Sequence, residues 1–335
     1  MKILFHDNHL CERGTAVVLF DYAYYNQTLL NNESFITFNI TTNNNEDVIK
    51  KFTKYFNVIP YDGTKNKQQQ LNLIVEQNNI DLFYGIKAGE NDGIYPTNTK
   101  VGAHCVFNMN EPHGNVYAAV CKYMSNKHGG HFPVVNHIVE DKEKDIIEDL
   151  RKDLNIPLNH FVFGRYGGHD TFNLSFVKET IKQIINLRND IWFIFLNTEK
   201  FIDHPRILFL PLTIDTKQKT KFVNTCDAML HARQDGETFG LAVAEFSIKN
   251  KPIITWKPDI IPTVYDTAHI FFLKDKGIYY KDENELKNII LNISKNDIIG
   301  KNWNVYEDLY SAKVVMNEFD NVFIKSNIQN ENQNN

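Results

Sequence analysis

The stretch from His231 to Trp256 reads HARQDGETFGLAVAEFSIKNKPIITW and carries two glutamates, Glu237 and Glu245. After the loop GETFG, the mostly apolar run Leu241–Ile248 predicts a helix. On that helix, three of the four close neighbours of Glu245 are apolar. Burying a carboxylate without a partner costs several kcal/mol, so Glu245 needs a donor. Either Lys249, four residues further on, or the hydroxyls of a bound ligand can supply it.

The loop GETFG follows the predicted strand DAMLHA (227–232) and precedes this helix, whose N-terminal N–H groups form a ready anion site. Glu237 lies in the loop, at the carboxyl end of a strand, where open α/β sheets bind their ligands. A ligand that carries both phosphate and hydroxyl groups therefore matches this short segment.

The whole chain of 335 residues is 42% hydrophobic, which provides enough apolar sequence for two cores. Its net charge of −5 argues against nucleic acid or an anionic membrane surface as a partner. No apolar run reaches the ~18 residues of a membrane span, and the N-terminal run is too short for a signal peptide. The four cysteines include no C-x-x-C pair. We predict a cytoplasmic protein with no integral membrane segment and no metal site.

Strands alternate with helices along both halves of the chain, which predicts parallel βαβ units. The charged stretch EDKEKDIIEDLRKDL (140–154) separates the halves. We predict an α/β protein with two Rossmann-like, doubly wound domains facing across a cleft, at 1–140 and 141–302. A helix at 303–325 is expected to pack on the first domain, and the polar tail 326–335 is expected to be disordered.

The spacing Glu237-x7-Glu245, with Phe239-Gly240-Leu241 inside it, resembles the signature of group 1 glycosyltransferases, a retaining family with the GT-B fold. Other segments resemble further parts of that family: RGT, VGAHCVF, FPVVNHIVE, FVFGR and NKPIIT. The presence of both ERGTAVVLFDYA and GETFGLAVAEF in one sequence suggests a poorly characterised branch of that family. The resemblance implies transfer of a sugar from a nucleotide-sugar donor to an acceptor hydroxyl, with retention of configuration and without a metal or other cofactor. The acceptor, whether glycan, lipid or protein, stays open.

The resemblance also implies roles for individual residues. Glu245 would bind the ribose hydroxyls of the donor, and Glu237 would hold hydroxyls of the transferred sugar. His104 would contact that sugar. Arg165 would bind the diphosphate and stabilise its charge as it leaves. Gly14 would let the backbone of the first domain approach the phosphates.

The loop before the helix completes the implied donor site. Its backbone amides would face the sugar and phosphate, at Thr238, Phe239, Gly240 and Leu241. The family usually carries a lysine five residues after the arginine, where this chain has Asp170. Arg233 could replace that cation, and His169 is a second candidate.

Each assignment has a structural alternative. His104 could be a satisfied core histidine, Arg165 a loop residue, and Arg233 a local partner of Asp235 or Glu237. The basic stretch KQKTK (217–221) is expected to be a solvated helix face. The alternative function is a catalytically inactive GT-B scaffold or sugar-nucleotide-binding protein, which the missing lysine favours. A nicotinamide-dependent oxidoreductase is disfavoured because no G-x-G-x-x-G joins the first strand to the first helix.

Overall fold

The structure is a computed structural model that describes residues 1–262, 264–306 and 308–326. Its contacts separate two compact units. The first unit joins Met1–Ile138 to the chain from Asp308 onward, and the second unit is Val139–Glu307. Disorder is predicted for the tail 326–335. Apart from Ser326, these residues lie outside the described part of the chain.

The first unit contains a six-stranded parallel sheet in the order β3-β2-β1-β4-β5-β6. Its strands are β1 (Lys2–His6), β2 (Glu33–Thr37), β3 (Asn57–Val58), β4 (Leu82–Lys87), β5 (Lys100–Cys105) and β6 (Val116–Ala119). Its helices before the second unit are α1 (Gly14–Thr28), α2 (Glu46–Thr53), α3 (Lys67–Asn78) and α4 (Lys122–Lys127). This strand order, with a reversal beside the first strand, is that of the Rossmann fold.

The second unit repeats this arrangement in the order β14-β12-β10-β7-β8-β9, again with parallel neighbours. Its strands are β7 (Phe161–Tyr166), β8 (Ile191–Leu196), β9 (Ile207–Leu210), β10 (Ala228–His231), β11 (Gly236–Glu237), β12 (Ile253–Trp256), β13 (Asp266–Thr267) and β14 (Gly277–Tyr280). Its helices are α5 (Ser175–Ile184), α6 (Thr216–Thr225), α7 (Leu241–Ile248), α8 (Ala268–Leu273), α9 (Glu283–Asn292) and α10 (Lys295–Ile298). The short strands β11 and β13 pair separately, in parallel.

The central strands are mostly apolar because helices cover both faces of each sheet. In β8, Phe193 and Phe195 join the hydrophobic cluster under α5 and α9, whereas Ile194 and Leu196 join the cluster under α6 and α7. Successive side chains of a strand point to opposite faces of the sheet. The continuous apolar run IWFIFL therefore contributes to the hydrophobic clusters on both faces of this one sheet. The prediction of an α/β protein with two doubly wound, Rossmann-like sheets is confirmed.

The single helix predicted at 303–325 is wrong in extent. The described segment contains a 3₁₀ turn at Asp308–Tyr310, the helix α11 (Ala312–Phe319) and a π-helical turn at Asp320–Ile324. Asparagine side chains divert the backbone before it: Asn302 accepts from the N–H of Asn304, and Asn304 accepts from that of Tyr306. Such local bonds compete with helix formation.

Candidate functional site

The strand order of the second unit reverses between β7 and β10, and open α/β sheets bind ligands at the carboxyl edge of such a point. Arg165 lies near the end of β7, and His231 is the last residue of β10. The chain then passes through Glu237 into α7, which carries Glu245. The second unit therefore holds both glutamates together with Arg165 and Arg233, four of the residues predicted from the sequence.

Two glycines shape the loop that carries Glu237. Gly236 has φ +65°, and a Cβ added there would lie 2.0 Å from the carbonyl oxygen of Asp266. This close approach brings β11 alongside β13, and the N–H of Asp266 donates to the carbonyl of Asp235 at 2.8 Å. Gly240 adopts the left-handed conformation (φ 86°, ψ 59°) as the N-cap of α7. It turns the chain so that Thr238 and Phe239 precede the helix and Leu241 begins it.

Glu237 is held by two donors, one on each carboxylate oxygen. His231 Nε2 lies 3.2 Å from Oε1, and Arg233 Nη1 donates to Oε2 at 2.9 Å. The side chain is 18% exposed. Burial alone raises the pKa of Glu237, but the hydrogen bond from His231 and the charge of Arg233 outweigh it and lower that pKa to about 2. Glu237 is therefore ionised at neutral pH, in a mostly buried position.

Arg165 is a buried cation, 4% exposed, whose hydrogen bonds go to neutral oxygens. Nη1 donates to Thr198 Oγ1 at 2.5 Å and Nη2 to the carbonyl of Gly168 at 2.9 Å. Burial lowers the pKa of Arg165 to about 10, although the charge of Glu237 opposes that shift. The guanidinium stays charged at neutral pH. Among the described residues, no carboxylate lies within ion-pair distance of it, so its charge is not neutralised by a direct ion pair.

Arg233 makes the local pair that the sequence allowed, with Glu237, so it is not a free replacement for the missing lysine. Its Nε is buried and has no hydrogen-bond partner among the described residues. Its charge is near enough to lower the pKa of Arg165 further. The other candidate, His169, is exposed in the loop after β7, beside the exposed Asp170.

Glu245 has a partner that the sequence did not suggest. Lys219, in the first turn of α6, lies with Nζ 2.6 Å from Oε1 of Glu245, and both side chains are about a quarter exposed, at 24% and 22%. Lys219 also lies 5.4 Å from the ring centroid of Tyr166. The alternative helix pair of Glu245 with Lys249 is not among the ion pairs of the described residues, and Lys249 pairs instead with Asp141 at 2.6 Å. The stretch KQKTK (217–221) is predicted to be a solvated helix face, but Lys219 within it is partly buried in this ion pair.

The structure argues against a sugar contact for His104 and supports the core alternative. The ring is fully buried in the first unit, with Nδ1 2.6 Å from the hydroxyl of Tyr84 and Nε2 2.9 Å from the carbonyl of Val135. Burial lowers the pKa of His104 to about 4, so the ring is neutral. Both nitrogens are already bonded within the protein. Gly14 is exposed and is the first residue of α1.

Four polar residues near Glu237 were not singled out from the sequence: His231, Thr255, Tyr265 and His269. His231 Nδ1 lies 2.8 Å from Thr255 Oγ1, and the rings of His231 and His269 have centroids 4.8 Å apart. Tyr265 and His269 are brought to the site by the pairing of β11 with β13. The only signal in the sequence is the histidine next to the end of the predicted strand DAMLHA.

Metal-ligand clusters and membrane-spanning helices are both absent from the described residues. They contain no group of three or more His, Cys, Asp or Glu side chains placed to hold a metal ion. No helix among them is both long enough and apolar enough to cross a bilayer.

Solved structures share this architecture. HepE of Anabaena, in complex with UDP-glucose, matches with a TM-score of 0.64 and 15% identity over 96% of this chain and 95% of its own. A glycosyltransferase from Rickettsia africae matches with a TM-score of 0.63 and 14% identity over 96% and 94%. The chain has the GT-B fold.

The GT-B fold also occurs in enzymes that do not transfer sugars. A putative UDP-N-acetylglucosamine 2-epimerase from Listeria monocytogenes matches with a TM-score of 0.60 and 11% identity over 98% of both chains. No protein-family model matches the sequence, and no curated protein does. These likenesses establish the fold alone, since one fold carries many functions.

Replacing Gly236 by alanine should destabilise the protein by more than the cost of a left-handed alanine, which is about 1–2 kcal/mol. The added methyl group would also have to displace the carbonyl of Asp266 and separate β11 from β13. Gly93→Ala is the matched control, since Gly93 has φ +66° and open space around its Cβ position. Chemical denaturation measures both variants. Equal losses of unfolding free energy would show that the close approach is not a constraint.

Acid should remove the stabilisation that comes from Glu237. Because its folded-state pKa lies below the unfolded value, its contribution is complete above the unfolded pKa and is lost as pH falls toward 2. Between pH 6 and pH 2, wild type should lose about 3 kcal/mol more unfolding free energy than Glu237→Gln. Denaturant titrations across this range measure the difference. Glu179→Gln, at a 59% exposed site, should follow wild type; parallel curves for all three proteins would contradict the assignment.

Proposed function

We propose that this protein transfers a sugar from a nucleotide-sugar donor to an acceptor hydroxyl, and that the second unit binds the donor. The observation that carries the proposal is the ionised, mostly buried carboxylate of Glu237. It is held between His231 and Arg233, beside the start of α7. In this proposal the sugar, the diphosphate and the ribose of the donor lie at successive parts of this site.

An ionised carboxylate only accepts hydrogen bonds, and each of its oxygens offers about two lone-pair positions. In Glu237 each oxygen has one protein donor, which leaves acceptor capacity on both. Two neighbouring hydroxyls of a sugar ring are donors with a matching separation. Sugar hydroxyls are therefore the class of ligand that this carboxylate suits best.

A diphosphate suits the positively charged groups of the same site. The charges of Arg165 and Arg233 exceed that of Glu237 by one, and the first N–H groups of α7 have no partner within the helix. In the proposal Arg165 binds the diphosphate. Arg233 already pairs with Glu237, so in the proposal it adds its charge to the site, and its buried Nε–H, which has no partner among the described residues, would bond to a ligand oxygen. These fixed charges would stabilise the leaving group as its negative charge develops.

The ribose is assigned to Glu245, as the family resemblance implies. Lys219 pairs with Oε1 of this carboxylate at 2.6 Å and orients it. Ribose hydroxyls would bond to this carboxylate beside Lys219. The ion pair thus explains how Glu245 is accommodated on a mostly apolar helix face before a donor binds.

On the family resemblance, transfer proceeds with retention of anomeric configuration and without a metal ion. The departing diphosphate would take the proton of the acceptor hydroxyl. The bond between the anomeric carbon and the diphosphate oxygen breaks as the bond to the acceptor oxygen forms. Proton NMR of the product's anomeric signal tests retention, and activity in EDTA tests the independence from metal.

Binding of a nucleotide sugar is the prediction that tests the proposal. Thermal and chemical stability should be measured with UDP, GDP, UDP-glucose, UDP-N-acetylglucosamine and GDP-mannose. A donor at a hundred times its Kd should add about 2.7 kcal/mol to the unfolding free energy of the wild type. Glu245→Gln and Arg165→Lys should lose most of this gain because they weaken ribose and diphosphate binding. Glu179→Gln, on the exposed face of α5, should retain it.

The alternatives give different results in the same experiment. Stabilisation without any sugar transfer or hydrolysis would favour the catalytically inactive GT-B scaffold. Conversion of UDP-N-acetylglucosamine to its 2-epimer would place the protein with the epimerases. Absence of stabilisation by every nucleotide sugar would contradict the proposed donor site.

A further inference from the structure

His231 is fixed at three points at the end of β10. Its Nε2 lies 3.2 Å from Glu237 Oε1, and its Nδ1 lies 2.8 Å from Oγ1 of Thr255, its register partner on β12. Its carbonyl accepts a hydrogen bond from the hydroxyl of Tyr280 at 2.8 Å. The ring is buried, with 4% of the residue exposed. It therefore has one orientation relative to the sheet, set by two neighbouring strands.

The directions of these hydrogen bonds follow from the partners. The ionised carboxylate of Glu237 can only accept, so Nε2 of His231 carries a proton and donates it. In a neutral ring Nδ1 is then the acceptor, and the hydroxyl of Thr255 donates to it. Each group therefore donates to the next: Thr255 donates to His231, and His231 donates to Glu237. Thr255 thus selects the tautomer that the carboxylate requires.

The surroundings of His231 restrict movement of the ring. The buried ring of His269 packs on it at a centroid distance of 4.8 Å and an angle of 49°. Burial lowers the pKa of His269 well below its usual value, so His269 is neutral. The hydroxyl of Tyr265 lies 3.3 Å from His269 Nε2 and holds that ring in turn.

The two hydrogen-bond donors to Glu237 differ in whether they can move with the loop. Arg233 is partly exposed and lies four residues before Glu237 in the same loop, so it can follow the carboxylate if the loop moves. His231 is anchored in the sheet and cannot. Without the Nε2 donor, the carboxylate would be free to rotate toward Arg233 and away from the position set by the sheet.

We propose that His231 is a positioning residue for sugar recognition, which holds the Glu237 carboxylate in the orientation that accepts the hydroxyls of the transferred sugar. The inference rests on the proposed function, and it adds a residue that acts through Glu237 rather than on the ligand. It follows that His231 should affect the binding of the sugar moiety and leave the binding of the nucleotide moiety unchanged.

The test compares two replacements of His231. In His231→Gln, the side-chain amide can place an N–H near the position of Nε2, whereas the shorter His231→Asn reaches only the position of Nδ1. Calorimetry with UDP-glucose and with UDP should show the Asn variant weakened about tenfold or more for UDP-glucose and unchanged for UDP. The Gln variant should stay within about threefold of wild type for both ligands. Equal weakening for both ligands, or no weakening, would overturn the inference.

A second readout needs no ligand. Carbon-13 NMR of labelled glutamate follows the ionisation of the Glu237 carboxyl, assigned by its loss in Glu237→Gln. In wild type and His231→Gln the carboxyl should stay ionised down to about pH 2, and in His231→Asn it should protonate at a clearly higher pH. An unchanged titration in His231→Asn would overturn the inference whatever the ligand data show. If that variant does not fold, Thr255→Val replaces it, since it removes the bond that selects the tautomer.

The two readouts separate failure of the inference from failure of the proposed function. If the titration shifts as expected but wild type binds no nucleotide sugar, the carboxylate is positioned by His231 but the donor assignment is wrong. That result would overturn the sugar-recognition role together with the proposed function. If wild type binds UDP-glucose and His231→Asn binds it equally well, the proposed function stands and only the inference fails.

Discussion

The charged carboxylate of Glu237, held in a mostly buried loop, is the constraint on which the arrangement of the second unit depends. A buried carboxylate is tolerated only when its oxygens are bonded, and here the sheet supplies one donor and the loop the other. The sheet donor requires His231 at the end of β10 and Thr255 beside it on β12. The loop donor requires the turn at Gly236, which allows β11 to lie against the carbonyl of Asp266.

The switch point of this sheet brings charges of both signs together. Arg165 is buried among neutral oxygens, so its charge is not cancelled by an adjacent carboxylate in the described structure. Glu237 and Glu245 each have a cationic partner, and each oxygen of Glu237 has one protein donor, which leaves acceptor capacity on that carboxylate. A site with spare positive charge beside a carboxylate that can still accept hydrogen bonds matches a ligand that joins phosphate to hydroxyl groups. Such a site depends on side chains from several strands, which explains why the fold by itself does not determine the function.

The sequence predicted the features that depend on local patterns. Alternating strands and helices predicted two doubly wound sheets, because continuous apolar runs bounded by amphipathic helices are typical of parallel strands covered on both faces. The run from Glu237 to Glu245 predicted the loop and α7, because Gly240 and the apolar residues after it specify a turn and a helix. These relations involve residues close together in the chain.

Relations between distant residues could not be predicted in the same way. The pair of Lys219 with Glu245 joins two helices, and the bond of His231 to Thr255 depends on strand register. His104 stands on a buried strand in a pattern that suits a ligand contact and a core residue equally, and only the positions of Tyr84 and Val135 decide between them. The helix expected at 303–325 begins late because Asn304 bonds to its own backbone neighbours, which apolar periodicity does not reveal.

The most direct test of the account is a crystal structure of the protein with the nucleotide sugar that stabilises it most. The account predicts hydroxyls of the sugar within about 3.2 Å of the Glu237 carboxylate, with the bond to His231 retained. It also predicts the diphosphate on Arg165 and the ribose on Glu245. A nucleotide sugar bound elsewhere, or bound with its sugar turned away from Glu237, would contradict it.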